Sequence, residues 1–237
     1  MTRRPSVVAA AALSVVLLGG CTPFGDDDTG GTPAPSTSAT SAAPVFDSQF
    51  TRDGTFQSHI ALPEAPGMDF VFTLYPTKAT PRTNEWYPAG DKFFSFTFQG
   101  YDLDRGLRDP FRTKRKVYLD RIVVTSATTT TRGGATEEPY RLDVVAARAT
   151  FDPEPVTTRR GMLVTSPKGA FELRNQRIGP VSRDTIGLTL SLTATVSVET
   201  RAGSGRFERV EVTQQVPIAI FDSDEVTEVA DIPINAN

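Results

Sequence analysis

The chain has 237 residues, 38% of them apolar and 22% charged, with a formal net charge of -3. That length admits one large domain or two small ones, and the mild acidity leaves no electrostatic footprint for nucleic acid. A single Cys and a single His exclude an internal disulfide framework, a Cys-based zinc site and any site built on two imidazoles.

Residues 1–20 have the organisation of an export signal. Arg3 and Arg4 form a positive start, Val7 to Leu18 is an apolar run interrupted only by Ser14, and Leu18-Gly19-Gly20-Cys21 follows. A charged start, a short apolar stretch and small residues before a cut define such a leader. The run is too short to span a bilayer permanently. The segment resembles the lipobox of bacterial lipoproteins, in which an apolar residue three positions before a Cys is followed by small residues. The resemblance implies a thioether-linked diacylglycerol on Cys21, cleavage just before it, and a chain held by lipid on the outer face of the cell membrane. Two acyl chains anchor stably where one is marginal. The use of 20 Arg against 5 Lys is similar to that of proteins from GC-rich genomes such as those of actinobacteria.

Residues 21–45 carry the lipid-bearing Cys and a tether. Between 22 and 44 the one large apolar side chain is Phe24, among Thr, Ser, Ala, Gly, Pro and the triplet Asp26, Asp27, Asp28. Such a composition cannot bury enough apolar surface to offset the entropy of ordering. A flexible chain of this length spans roughly 25–30 Å on average.

Residues 46–222 read as an all-β antiparallel sandwich, immunoglobulin-like or an enlarged sandwich. Phe56, Ser58, Ile60 and Leu62 alternate weakly. Met68, Phe70, Phe72 and Leu74 alternate strongly, as do Phe94, Phe96 and Phe98. Residues 116–128 and 140–151 are rich in β-formers, but their apolar parity slips midway, which predicts a bulge in each or strands buried on both faces. Residues 152–185, with four prolines, predict short strands and loops. Leu188 to Val198 alternates without fault against Thr, Ser and Glu, and a Gly-Ser-Gly tip leads into Val210, Val212, Val216, Ile218 and Ile220. These two runs predict a long hairpin with Val198 opposite Val210 and Leu188 opposite Ile220. Roughly 175 residues exceed the roughly 100 of one immunoglobulin unit, and no linker divides them, so one enlarged sandwich is expected. Residues 223–237 read as a loose acidic tail or as a weak extra strand at 226–234.

No P-loop, dinucleotide fingerprint or zinc-protease motif is present, so no cofactor or metal is expected. His59 falls on the wet face of its strand, and no Gly-x-Ser-x-Gly elbow supports a nucleophile. Asp102, Asp104 and Asp109, with Glu85 on the preceding loop, offer an acid/base pair for an envelope hydrolase if two approach within about 5–10 Å. Asp102 to Gly106 also looks faintly like a calcium loop, without the sixth-position glycine and closing Glu. Arg105 to Arg121 holds seven basic residues, a local reversal of sign in a net-acidic protein. The candidate binding surface is therefore Arg105, Arg108, Arg112, Lys114, Arg115 and Lys116, joined by Trp86 and Tyr87 in a loop flanked by Pro and Gly. The leading expectation is a non-catalytic binding or scaffolding module. It reaches the membrane through Cys21, and its further partner is an anionic lipid surface, an anionic envelope polymer or an envelope protein. A lipid or glycolipid carrier with a cavity beneath the Phe-rich strands is the alternative.

Overall fold

The computed structural model describes residues 46–80, 83–132, 136–222 and 228–229. The leader, Cys21 and the tether lie outside the described residues, as does most of the tail. In chain order the elements are α1 (Gln49–Asp53), β1 (Phe56–Gln57), β2 (Met68–Thr77), β3 (Ala79–Thr80), β4 (Lys92–Asp102), a 3-10 turn (Phe111–Thr113), β5 (Val117–Thr130), β6 (Arg141–Val145), α2 (Ala146–Ala149), β7 (Thr157–Thr158), β8 (Gly161–Leu163), β9 (Phe171–Ile178), β10 (Thr185–Glu199), β11 (Phe207–Ala219) and β12 (Glu228–Val229).

Two antiparallel sheets share one core. The first runs β1-β2-β4-β9, and the second runs β11-β10-β5-β8-β7 with β6 also paired to β5. β3 and β12 pair with each other. The period-two pattern places Phe70, Phe72 and Leu74 of β2 and Phe94, Phe96 and Phe98 of β4 inward, fully buried. Opposite them stand Leu119, Ile122 and Val124 of β5 and Leu188 to Val198 of β10, in one continuous apolar cluster. Among the described residues one apolar cluster lies between the two sheets, the arrangement of a β-sandwich.

The predicted bulge in 116–128 is present. Thr195 pairs with Arg121, but Val196 pairs with Leu119, so Asp120 is the extra residue and apolar residues on both sides of it face the core. The bulge predicted in 140–151 is not. There β6 ends at Val145 and the chain turns through α2, where Ala146, Ala147 and Ala149 favour helix over strand. The β10–β11 hairpin forms with its apolar faces matched, but two residues tighter than expected: Val196 opposes Val210 and Leu188 opposes Ile218. The loop closes early because Thr200 N donates to Arg206 O at 3.0 Å and Ser204 N to Arg201 O at 3.0 Å. A two-residue shift keeps every side chain on its own face, so parity alone does not distinguish the two registers.

Single bridges close the sandwich at both ends. Trp86 bridges Ile220, and Gly100 bridges Thr165. Thr165 ties the sheets together there, its Oγ1 accepting from Val117 N at 2.7 Å and donating to Arg115 O at 3.3 Å. The described chain begins at the Trp86 end: Phe46 lies against Gly187, where a Cβ would sit 2.3 Å from its ring. Thr51 Oγ1 accepts from Ala219 N at 3.1 Å. We call this the N-terminal pole. The opposite, loop pole holds Asp102, Arg115 and Glu199. The two poles are separated by the length of β10 from Gly187 to Glu199, about 40 Å at the rise of an antiparallel strand.

Candidate docking surface at the loop pole

The loops 61–67, 103–116, 164–170 and 200–206 meet at the loop pole around a buried ion pair. Arg115 donates to Asp102 Oδ1 from Nε at 3.2 Å and from Nη2 at 2.7 Å, and its backbone N donates to Asp102 Oδ2 at 2.8 Å. Arg115 Nη1 donates to Pro66 O at 2.7 Å, and Nη2 also reaches Asp104 Oδ2 at 3.0 Å. The guanidinium lies against Gly67, whose φ is 74° and where a Cβ would sit 2.8 Å from Asp104 Oδ2 and 2.9 Å from Arg115 Nη2. The positive φ favours glycine there, and any larger residue would have to displace the ends of both side chains. Burial pushes the Asp102 carboxyl up, but the hydrogen bonds and charge of Arg115 outweigh it and hold it below the ordinary carboxylate value. Glu199 is a second buried carboxylate. It accepts from Lys116 N at 3.2 Å, Lys116 Nζ at 3.5 Å and Gly205 N at 3.0 Å.

On this base the segment 103–113 is a hydrogen-bonded loop. Leu103 N donates to Gly67 O at 2.9 Å, Asp109 N to Gly106 O at 3.0 Å and Thr113 N to Pro110 O at 2.9 Å. Gly106 N donates to Asp109 Oδ2 at 2.9 Å, and Lys114 Nζ donates to Gly106 O. The loop presents Arg105, Arg108 and Arg112 to solvent, and none of the three makes an ion pair among the described residues. A cleft of about 150 Å³ brings Arg201 of the β10–β11 loop alongside Arg105, with Thr113, Asp102 and Asp104 in its walls.

The residues singled out in the sequence therefore divide. Arg105, Arg108 and Arg112 form an exposed set. Lys114 and Arg115 are buried and serve the loop's own scaffold, because each ends on internal oxygens. Lys116 is half-buried against Glu199. Trp86 does not belong to a surface: it is 0% exposed and packs edge-on against Phe50 of α1, with ring centroids 5.1 Å apart, at the N-terminal pole. Tyr87 is half-buried beside it, its hydroxyl donating to Glu85 Oε2 at 3.0 Å.

The carboxylates divide: Asp102 and Asp104 meet on Arg115 Nη2, at 2.7 and 3.0 Å, in the walls of the cleft, and the others lie apart. Glu85 is at the N-terminal pole and Asp102 at the loop pole. Asp104 shares Arg115 with Asp102, and Asp109 is held by the loop backbone. Among the described residues no group of three or more His, Cys, Asp or Glu side chains is placed to hold a metal ion. His59 is exposed as expected, its Nδ1 2.7 Å from Asp69 Oδ2. The Phe side chains of β2 and β4 pack on one another, Phe72 and Phe98 at 4.6 Å and Phe70 and Phe98 at 6.3 Å.

Sequence reasoning missed two groups. Leu103 and Leu107, 65% and 64% exposed, stand among the arginines of the loop; their signal was apolar residues in a charged stretch with no strand parity. Lys92 points inward, on the parity of Phe94, Phe96 and Phe98. Its ammonium donates to Pro88 O at 3.3 Å, Gly90 O at 3.0 Å and Gly179 O at 3.1 Å, which satisfies all three N–H groups. Phe93 turns outward beneath Lys78, whose Nζ is 5.4 Å from the ring centroid.

No family model and no curated protein sequence matches the chain.

Proposed function

We propose that this is a lipid-anchored lipoprotein of the cell envelope, displayed outside the cytoplasmic membrane. In this reading its enlarged, immunoglobulin-like sandwich is a non-catalytic binding module. The loop pole is the docking surface, and the partner is polyanionic. The lipobox resemblance at Cys21 supports the address. The observation that carries the binding role is the set of three exposed guanidinium groups, Arg105, Arg108 and Arg112, on a loop fixed by the buried Asp102–Arg115 pair. Exposed like charges without ion-pair partners on one hydrogen-bonded loop favour binding of an opposite charge over folding. The packed Phe rings of β2 and β4 favour a binding surface over an internal carrier cavity, and the ionised, arginine-bound Asp102 is unsuited to the role of general acid.

Charge reversal tests the reading. In a chain starting at residue 22, which lacks the anchor, Arg105→Glu, Arg108→Glu and Arg112→Glu together reduce retention on isolated envelopes, and wild-type retention falls as salt rises. Retention that is unchanged in the triple variant rejects the loop pole as the docking surface. Intact-mass analysis of the protein from its native membrane reads the diacylglycerol on Cys21.

A further inference from the structure

We infer that the loop 103–113 docks on an anionic lipid surface, with Leu103 and Leu107 inserted among the headgroups and Arg105, Arg108 and Arg112 set against the phosphates. This rests on the reading of the loop pole as the docking surface and names what it meets.

Leu103 and Leu107 are the two most exposed large apolar side chains of the described residues, and both belong to the one loop that also carries the unpaired arginines. The remaining exposed apolar residues are spread over other elements, and Phe151 lies under the Arg174 guanidinium at 3.5 Å. The loop's exposure is built in. Leu103 is tied through its N–H to Gly67 O, and Gly106 is held from both sides by Asp109 and Lys114, so the two leucines are held out from the core by the loop's own bonds.

A soluble polyanion offers partners for the arginines and nothing for the leucines. A bilayer offers both, since interfacial binding combines burial of apolar side chains at the headgroup boundary with attraction of basic residues to anionic lipid. The two acids of the loop, Asp104 and Asp109, reduce this field without reversing it: Arg105, Arg108 and Arg112 outnumber them, and Arg201 across the cleft adds to the excess.

The test uses the chain starting at residue 22, which keeps every described residue, and two probes: mixed phosphatidylglycerol–phosphatidylcholine vesicles and soluble polyphosphate. The wild-type chain is expected to co-sediment with the mixed vesicles about thirtyfold more strongly than with phosphatidylcholine alone. Leu103→Ser with Leu107→Ser is expected to lower vesicle binding by about tenfold or more and to leave polyphosphate binding and the thermal midpoint unchanged. Polyphosphate binding without binding to anionic vesicles overturns the lipid inference while the polyanion reading stands. Vesicle binding that is equal in the double-serine variant overturns insertion. Binding to neither probe overturns both.

Discussion

At the residue scale, two buried charges show how the sandwich tolerates ionised groups at opposite poles. Removing one partner of a buried ion pair leaves the other uncompensated, which costs about 3–5 kcal/mol. Arg115→Met is expected to destabilise the fold by that amount in chemical denaturation. Asp102, held low by Arg115, contributes stability above the unfolded carboxylate value of about 4 and loses it as pH falls further. In Arg115→Met the sign reverses, because an unpaired buried carboxyl titrates above its unfolded value; acidification through pH 6 to 4 then recovers part of the lost stability. Lys92 works in the other direction. Burial lowers it from 10.5 to about 8, against the opposing charge of Asp91. Between pH 8 and 10 the unfolded chain holds a proton that the folded chain has released, so stability rises with pH in that window by on the order of 2 kcal/mol. Lys92→Met abolishes the rise, and denaturation midpoints measured from pH 7 to 10 separate the two outcomes.

At the scale of elements, the seam at Thr165 joins the two sheets at the loop pole. Thr165→Val keeps the shape and leaves Val117 N without its 2.7 Å acceptor; a stability loss of about 1–3 kcal/mol is expected, with faster hydrogen exchange at Val117. The inward faces of β2, β4 and β10 and the β5 bulge were legible because each is a local alternation of apolar and polar residues. The hairpin register was legible only modulo two. The α2 turn was hidden behind valines that continue the strand pattern, although its alanines carried the helix signal. The inward side of Lys92 follows from the same alternation, but its acceptors were illegible because Gly179 lies far along the sequence, where no local rule connects them. The candidate site was half legible. The arginines show as a charge run, but which of them fold inward depends on Asp102 and Gly106, and the role of the leucines depends on a loop conformation that periodicity does not describe.

At the scale of the whole molecule, the described chain starts at one pole and offers its docking loop at the other. In the proposed anchoring, 24 residues lie between Cys21 and Phe46, and a chain of that number reaches at most about 80 Å, about twice the distance between the poles. On that proposal the number of residues before Phe46 sets an upper limit on how far the loop pole reaches back to the membrane that holds the lipid. Deleting twelve tether residues is expected to weaken contact of the loop with the membrane. Leu107→Cys reads this directly: with Cys21 lipidated it supplies the one free thiol, and a polarity-sensitive dye placed there reports immersion as the leash is shortened.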